Sequence, residues 1–386
     1  MFEIEDVQNQ EAVIKVLGVG GCGCNAIDHM IGKNVQGVDF IAINTDVQSL
    51  NRSKALTQLQ IGTTITKGLG AGAIPDVGRA AAEEDRERIA ELIQGSNMIF
   101  ITAGMGGGTG TGAAPVVAKI AKEMGILTVA VVTKPFLHEG KRMRLAQVGI
   151  EELSKFVDSL IIVPNEKLMT VLGEETSLLD AFSVSNGVLQ GAVAGIAEVI
   201  NVPGLMNVDF ADVRTLMSEN GMAMMGSATA SGKDRAKCAA ERAMSSPLLE
   251  DINLAGARGV LINITSNSKL TLKEFREITN SVRFAVEDAT VIVGSVFEES
   301  MGDELRVTIV ATGLSSPMER KQSKPELVYG ARTGTHNETV FAGEPDLPAV
   351  IRGGRDVRSN REAVEAMRQS GVDTLDIPSF LRRQND

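Results

Sequence analysis

The 386-residue chain contains no tryptophan and a single tyrosine. Proteins that hold single-stranded nucleic acid without sequence preference stack the bases on aromatic side chains, and this chain offers almost none. Its net charge is −11, all of it carried before residue 318, because residues 318–386 hold equal numbers of Lys+Arg and Asp+Glu. An acidic body repels a phosphate backbone. Both features argue against direct nucleic-acid binding.

Cysteine is also scarce. The three cysteines, Cys22, Cys24 and Cys238, are too few for a disulfide framework. Cys22 and Cys24 lie too close in sequence for an ordinary bridge, and no histidine stands near them at the spacing of a zinc site. We therefore predict no metal site built from protein ligands.

Long apolar runs are absent as well. No uninterrupted run reaches the roughly 18 residues that indicate a membrane span. The N-terminal residues, MFEIEDVQNQEA, are acidic and polar, unlike a signal peptide. We expect a cytoplasmic protein that does not insert directly into a membrane.

Between residues 13 and 135, short β-branched apolar runs alternate with helical stretches. This alternation is typical of an α/β fold, a parallel sheet with helices on both faces. The predicted strands are Val13–Val19, Phe40–Asn44, Met98–Ala103 and Leu127–Thr133, with Asp158–Pro164 as one more, and the predicted helices are Cys22–Ile31, Val77–Ile93 and Gly112–Met124.

A proline-free stretch with helical apolar spacing runs from Ser177 to Val202, and Pro203 and Gly204 end it. It predicts one helix of about 24 residues, roughly 36 Å long. The following segment predicts a smaller α/β domain with a mixed sheet. Its predicted helices are Phe210–Met217, Lys233–Met244 and Leu272–Val286, and its predicted strands are Gly259–Thr265, Thr290–Val296 and Glu304–Ala311.

The composition changes after Ser316. Residues 317–360 have few apolar side chains and no period, so they cannot bury enough surface to fold. Asp373–Gln384 (DTLDIPSFLRRQ) recovers apolar residues around a proline, as interaction peptides do; the alternative is a frayed tail. The predicted parts are a flexible N-terminus 1–11, a nucleotide-binding domain 12–176, a central helix 177–202, a C-terminal domain 203–316, a disordered linker 317–372 and a C-terminal peptide 373–386.

A glycine-rich run, Gly104–Gly112 (GMGGGTGTG), follows a predicted strand and precedes a predicted helix. Six glycines in nine residues are costly in backbone entropy, unless backbone N–H groups must converge on a phosphate at the start of the helix. Thr109 and Thr111 would add hydroxyl groups. No Walker-type lysine follows, so a cation must share the phosphate charge, and Mg²⁺ is the expected one.

A second run, Gly18–Gly23, matches G-x-G-x-x-G, and Asp39 lies near the interval of a ribose-binding acid. An NAD-dependent oxidoreductase is therefore the alternative. Against it, Asp39 opens its strand rather than closing it, and a dinucleotide gives no role to Gly104–Gly112. A third run, Gly68–Ala73, would crowd the same carboxyl edge of the sheet. Three such loops fit a nucleoside triphosphate better.

Two carboxylates, Asp209 and Asp212, follow the central helix within Asn207–Asp212 (NVDFAD). Either could simply cap the next helix. The long helix would hold both far from the glycine loops of their own chain. In a head-to-tail stack, however, each subunit would offer them to its neighbour's nucleotide, and such an interface generates filaments because it does not close.

Eight motifs carry a family resemblance: GVGGCGCN, NTD, GLGAGA, AGMGGGTGTGAAPVVA, KPF, LLDAF, GLMNVDFADV and GARGVLINIT. In this order they resemble the FtsZ family of tubulin-like cell-division GTPases, over about residues 12–316 and again at Asp373–Gln384. The resemblance implies GTP hydrolysis with Mg²⁺ and head-to-tail filaments that form the cytokinetic ring of bacterial division. It also implies a GTP-binding domain, a C-terminal GTPase-activating domain, and a terminal peptide that binds membrane tethers and other division proteins.

By the same resemblance, Asp209, Asp212 and Asn207 of one subunit would orient water at its neighbour's nucleotide, and Phe182 would stack on guanine. Glu139 and Arg142 would lie near the ribose and phosphates. The full set implied to contact nucleotide is Gly20, Gly21, Cys22, Asn25, Asn44, Gly70, Ala71, Gly72, Gly104, Gly106, Gly107, Gly108, Thr109, Gly110, Thr111, Gly112, Pro135, Glu139, Arg142, Asn165, Phe182 and Asn186.

The chain departs from the family pattern at several of these positions. Cys22 and Cys24 stand among expected glycines, His138 stands where an aromatic is common, and a shortened loop makes Arg142 rather than Arg144 our choice. Gly187 replaces an aspartate that hydrogen-bonds guanine. That loss predicts a preference for GTP over ATP weaker by about 1–3 kcal/mol. It also leaves open a second hypothesis, a non-hydrolysing scaffold that co-assembles with a more active relative.

Overall fold

The computed structural model describes residues 12–172, 177–202, 208–219, 221–246, 248–249, 254–286 and 289–314. All of these fall in one of the chain's two contact units, Met1–Lys324. The predicted flexible N-terminus 1–11, Asn207, the linker and the terminal peptide lie outside the described residues. The predicted domain boundaries remain predictions.

The described strands form one sheet with the order β3-β2-β1-β4-β5-β6-β7-β10-β8-β9. Neighbours are parallel except for the two antiparallel pairs that β10 makes with β7 and β8. The strands are β1 Ile14–Val19, β2 Asp39–Asn44, β3 Thr57–Gln60, β4 Met98–Gly104, β5 Leu127–Lys134, β6 Ser159–Pro164, β7 Gly221–Ser231, β8 Gly259–Ser266, β9 Thr290–Phe297 and β10 Glu304–Leu314. The predicted α/β fold, parallel first and mixed later, is confirmed.

Helices cover both faces of the parallel part. They are α1 Gly20–Gly32, α2 Val47–Leu50, α3 Thr63–Thr66, α4 Pro75–Glu84, α5 Arg86–Ile93, α6 Thr109–Glu123, α7 Lys141–Leu153, α8 Asn165–Leu172, α9 Leu178–Asn201, α10 Phe210–Met217, α11 Arg235–Met244 and α12 Leu272–Ala285. Apolar residues of α1 and α9 pack on one face of the sheet, and those of α4, α5, α6 and α7 pack on the other. A third core lies between the later strands and α11 and α12.

The predicted central helix is confirmed as α9, with 24 residues. Ser177 caps its first turn, because its hydroxyl accepts a hydrogen bond from the Asp180 backbone N–H at 3.1 Å. Residues Leu179–Asn201 are long and apolar enough to cross a membrane, with a mean hydropathy of 1.2, but half of that window is buried within the protein. Leu189, Val193 and Ile196 are fully buried, so we interpret α9 as a core helix.

Strand β7 was not predicted, because its sequence, GMAMMGSATAS, is rich in residues that do not favour strands. It forms because β10 pairs with it along most of its length, while β6 pairs with its first three residues. This pairing joins the strands before and after α9 into one continuous sheet. The edge strand β3 and helices α7 and α8 were also missed.

The single predicted helix Val77–Ile93 is wrong: it is two helices, α4 and α5, separated at Asp85. The Asp85 carboxylate is buried and accepts a hydrogen bond from the Gly62 backbone N–H at 2.7 Å. A second bond comes from Arg88 at 2.7 Å. These contacts hold Asp85 outside helical geometry, and no local sequence pattern predicts them.

Candidate functional site

A cavity of about 290 Å³ opens at the carboxyl ends of β1, β4 and β5. In an open parallel sheet this edge is the expected ligand position. Its lining residues are Val19, Gly20, Gly21, Cys22, Gly104, Met105, Gly106, Gly107, Gly108, Thr109, Gly110, Thr133, Pro135, Glu139, Arg142, Asn165 and Phe182. Fourteen of these were among the predicted contacts, and Val19, Met105 and Thr133 were missed. All three stand at or next to a strand's carboxyl end, the signal that could have found them.

Two helices begin at the cavity, both earlier than predicted. Helix α1 starts at Gly20, directly after β1, and α6 starts at Thr109, inside the glycine-rich run. The glycines supply these first turns rather than long free loops. No side chain caps either helix. Uncapped N–H groups and two helix dipoles therefore favour an anion in the cavity.

Gly20 and Gly106 have left-handed backbones, with φ of +74° and +95°. A Cβ on Gly20 would lie 2.9 Å from the Gly110 backbone nitrogen, so the two helix starts touch here. A Cβ on Gly106 would lie 2.7 Å from the Arg142 backbone oxygen. Glycine is required at both positions by conformation and by close approach.

The third glycine run, Gly68–Ala73, packs against the residues that line the cavity. Gly70 donates its backbone N–H to the Thr45 oxygen at 3.3 Å. Thr45 in turn shares a 2.7 Å hydroxyl hydrogen bond with Thr109. A Cβ on Gly108 would lie 2.8 Å from the Ala71 Cβ, which shows how closely the two runs pack. The predicted contacts Gly70, Ala71 and Gly72 do not line the cavity.

Five other predicted contacts lie outside the lining: Asn25, Asn44, Thr111, Gly112 and Asn186. Two of them have a structural role. The buried Asn44 side chain accepts from the Thr45 N–H at 2.9 Å. The buried Thr111 hydroxyl accepts from the Gly106 N–H at 2.8 Å and so holds the glycine turn. Their part in nucleotide binding stays a prediction.

The far wall of the cavity is aromatic. Phe182 of α9 is 47% exposed and meets Phe136 edge-on, with ring centroids 6.3 Å apart. Phe136 also stacks on His138 at 5.4 Å. Buried Asn165 completes this wall and accepts from the Ser185 hydroxyl at 3.2 Å. The half-exposed Phe182 ring offers a flat apolar surface to a base.

Glu139 and Arg142 form an ion pair of 2.9 Å on the cavity wall. Glu139 also accepts from the Phe136 backbone N–H at 3.1 Å, which anchors the aromatic segment. Arg142 lines the cavity, whereas the alternative, Arg144, does not. Since Glu139 is neutralised by its partner, backbone N–H groups carry most of the cavity's attraction for anions.

Cys22 reaches the cavity beside Gly104 and Thr133, with 3.7 Å between its Sγ and the Thr133 Oγ1. The residue is exposed, yet protein atoms around the thiol desolvate it and raise its pKa, against a smaller lowering by the Thr133 hydrogen bond. Cys24 is buried in the core. Burial, followed by the charge of Asp28, raises its pKa to about 12.

Asp209 and Asp212 lie at the opposite edge of the sheet. Their helix, α10, is held there by Arg214, which donates to the Gly125 oxygen at 3.0 Å, just before β5 begins. The seven residues of β4 between the two edges span about 23 Å. Both carboxylates are exposed. Asp209 stands at the N-cap of α10 but its side chain makes no capping bond, so the capping alternative fails for Asp209.

Asp39, the acid of the dinucleotide alternative, also lies at the amino edge. It is the first residue of β2 and lines a different cleft, with Lys15 and Leu92. A ribose bound at the glycine turns would be out of its reach.

No group of three or more metal-binding side chains occurs within the described ranges. The only carboxylate on the cavity wall, among the described residues, is that of Glu139, and it already has Arg142 as its partner. The described residues therefore fit a cation held by the ligand's own phosphate oxygens rather than by a protein cage.

Comparison with known proteins gives a consistent result. The Tubulin/FtsZ family GTPase domain matches residues 13–173, and the FtsZ family C-terminal domain matches residues 221–315. The cell division protein FtsZ of Pseudomonas aeruginosa is 54% identical and covers 100% of both chains, and that of Coxiella burnetii is 53% identical and covers 99% of both. A solved FtsZ dimer from M. jannaschii, described as empty, has a TM-score of 0.76 at 45% identity, and covers 79% of this chain and 89% of its own.

Proposed function

The chain belongs to the FtsZ family of tubulin-like GTPases, and we propose that it binds GTP at the glycine-lined cavity and hydrolyses it where two copies meet head to tail. Filaments built this way would form the cytokinetic ring of a dividing bacterial cell. The placement of Asp209 and Asp212 at the sheet edge opposite the cavity carries the proposal. Neither carboxylate reaches the cavity of its own chain, but both are exposed and would face the next copy in a head-to-tail stack.

The chemistry assigned to this contact is water attack on the terminal phosphate. The turns at Gly20–Gly21 and Gly107–Gly110 would hold the phosphates by backbone N–H groups, and Phe182 would stack on the base. The neighbour's Asp209 and Asp212 would orient the water and accept its proton. Mg²⁺ bound to the phosphates would neutralise their charge. The residues position the water and the phosphates and stabilise the charge of the transition state, and no covalent intermediate is needed.

Exposed apolar side chains support assembly through these two edges. Around the cavity, Leu69 is 85% exposed, Leu137 66% and Leu179 80%. At the opposite edge, Phe284 near the end of α12 is 96% exposed. A head-to-tail stack would cover large apolar side chains that are left exposed at both edges. The name of the M. jannaschii relative, a dimer, agrees with self-association.

We further propose that the protein works in the cytoplasm at the division site, as a relative of cell division proteins. Asp373–Gln384 would connect the filaments to membrane tethers and other division proteins. That peptide lies outside the described residues, so its role rests on sequence resemblance alone.

The test is GTP turnover per subunit, measured with Mg²⁺ over a wide range of protein concentration and compared with sedimentation of polymer. We expect turnover to rise steeply where polymer appears, because the complete site exists only between subunits. Turnover independent of concentration would overturn the shared site. Polymer without turnover at any concentration would favour the scaffold hypothesis, and failure to bind guanine nucleotide would overturn the proposal altogether.

Cys22 offers a direct test of where the nucleotide sits. We expect saturating GDP to slow alkylation of Cys22 by a maleimide, because the ligand would cover the thiol. Exposed Cys238 on α11 is an internal control whose rate should not change, and buried Cys24 should remain unmodified. Mass spectrometry at about pH 8.5, near the ordinary thiol pKa, resolves the three sites. Equal Cys22 rates with and without GDP would place the nucleotide elsewhere.

Gly187 tests base selection. A Cβ at this position meets no atom within 4 Å, so Gly187→Asp fits without repacking. We expect the variant to gain about 1–3 kcal/mol of preference for GTP over ATP, roughly 5–150-fold, through hydrogen bonds from guanine to the new carboxylate. Gly187→Asn is the matched control, of the same size but without charge. Selectivity in kcat/KM that is unchanged by aspartate would show that this position does not face the base.

A further inference from the structure

A second cleft, of about 580 Å³, lies at the amino edge of the sheet and has no part in the site described above. It opens between the end of α1 on one face and the end of α5 on the other. Its apolar walls include Ile31, Val35, Val38, Phe40 and Leu92, with Leu56 on its rim. Leu56 is 103% exposed, and all five wall residues are half-buried. The cleft is concave and its lining mixes apolar and polar groups, the combination that is typical of a binding site.

The charged groups of the cleft are balanced. Lys15 and Lys54 oppose Asp39 and Glu91 on its walls. Lys15 is already engaged, because its ammonium donates to the Leu92 oxygen at 2.7 Å. Lys54 forms no ion pair with any described residue. The cleft therefore favours an occupant that combines apolar side chains with an acid, because the Lys54 ammonium has no acidic partner among the described residues.

The described chain begins beside this cleft. The Asn201 side-chain amide donates to the Ala12 oxygen at 3.0 Å and to the Gly37 oxygen at 2.7 Å, so Ala12 and Gly37 are neighbours. Val38, the next residue after Gly37, is part of the cleft wall. The eleven residues that precede Ala12 thus start within a few ångströms of the cleft and are tethered at high effective concentration.

We propose that residues 1–11 dock in this cleft, with Phe2 and Ile4 against its apolar walls and an acid from Glu3 or Glu5 facing Lys54. Phe2 and Ile4 would share one face of an extended segment, since side chains alternate along it. Ala12 lies ten positions after Phe2, and an extended chain of ten such steps reaches about 33 Å. The segment is therefore long enough to reach the cleft, and its covalent attachment at Ala12 removes most of the entropic cost of docking.

The absence of tryptophan provides the experiment. In a Phe2→Trp variant of the full chain, at low concentration without nucleotide, the only tryptophan reports directly on the cleft. We expect its emission at shorter wavelength, and its quenching by acrylamide weaker, than in the same protein unfolded in guanidinium chloride. Adding Leu56→Glu should move both values toward those of exposed tryptophan. Leu272→Glu, at an exposed position on α12, is the matched control and should change neither.

Leu56 is fully exposed, so the substitution should leave the unfolding midpoint unchanged, and this is measured in parallel. Solvent-like emission of the folded Phe2→Trp variant would overturn the proposal. So would an emission shift that grows with protein concentration, because a second copy would then be the occupant. A Phe380→Trp variant tests the C-terminal peptide: a buried indole in this variant that becomes exposed on Leu56→Glu would assign the cleft to that peptide instead.

Discussion

Replacing Asp212 by asparagine is expected to lower GTP turnover by about 10²–10⁴-fold, the usual contribution of a positioned acid–base group, while GTP still binds and filaments still form. The carboxylate is exposed and distant from the cavity of its own chain, so its loss should not disturb nucleotide binding. Turnover and sedimentation of the same samples separate the two effects. Asp234→Asn is the control, since Asp234 is an exposed N-cap residue whose side chain makes no capping bond.

A mixing experiment shows whether Asp212 acts across the subunit contact. Gly107 has open space around its Cβ position, so Gly107→Asp should repel phosphate without straining the turn. Each variant alone should be inactive: one lacks the carboxylate and the other cannot hold GTP. Mixed, they should regain turnover wherever the intact cavity of an Asp212→Asn subunit meets the intact carboxylate of a Gly107→Asp subunit. A mixture that sediments together yet stays inactive would contradict a shared site.

The second large effect is expected at Gly106. Alanine at φ +95° costs about 1–3 kcal/mol in backbone strain. Its Cβ would also lie 2.7 Å from the Arg142 oxygen and 2.8 Å from the Pro135 Cγ. We expect Gly106→Ala to lower the free energy of unfolding by about that strain energy. Nucleotide affinity should fall at least about tenfold, because the turn that aims the N–H groups must shift.

Gly107→Ala is the matched control for this prediction. Gly107 lies in the same turn and lines the same cavity, but its backbone is not left-handed and its Cβ position is free. Chemical unfolding should therefore show no loss of stability. Calorimetric titration of both variants with GDP then distinguishes two causes of weaker binding, a distorted turn and steric exclusion of the nucleotide by the new methyl group. Equal destabilisation by the two substitutions would refute the conformational argument.

The family prediction made from the motifs is confirmed, and the dinucleotide alternative is not favoured. Gly187, Cys22 and His138 remain departures from the family pattern, and the Gly187→Asp variant measures the effect of the first. The cavity wall explains why Cys22 need not abolish binding: its side chain lies beside Gly104 and Thr133, where the cavity remains open.

Local pattern was sufficient for features that depend on neighbours in sequence. The period of apolar residues identified α9 nearly to the residue, because helical spacing and the Ser177 cap both depend on residues that are close in sequence. The glycine density of Gly104–Gly112 identified the edge of the sheet where the cavity opens. Together with the two later aspartates, that run led to the proposal of a site shared between subunits.

The remaining features of the fold and the site depend on tertiary contacts. Strand β7 exists because β10 pairs with it, the break at Asp85 exists because Gly62 donates to its carboxylate, and Thr111 supports the Gly106 turn instead of lining the cavity. Each depends on residues that are distant in sequence or on a backbone direction that no side-chain pattern encodes. The same holds for the two sheet edges. The sequence identified the glycines and the carboxylates as candidates. Their separation by the length of a strand follows from the order and direction of the strands in the sheet, and this separation is the reason why we propose a site that a second chain completes.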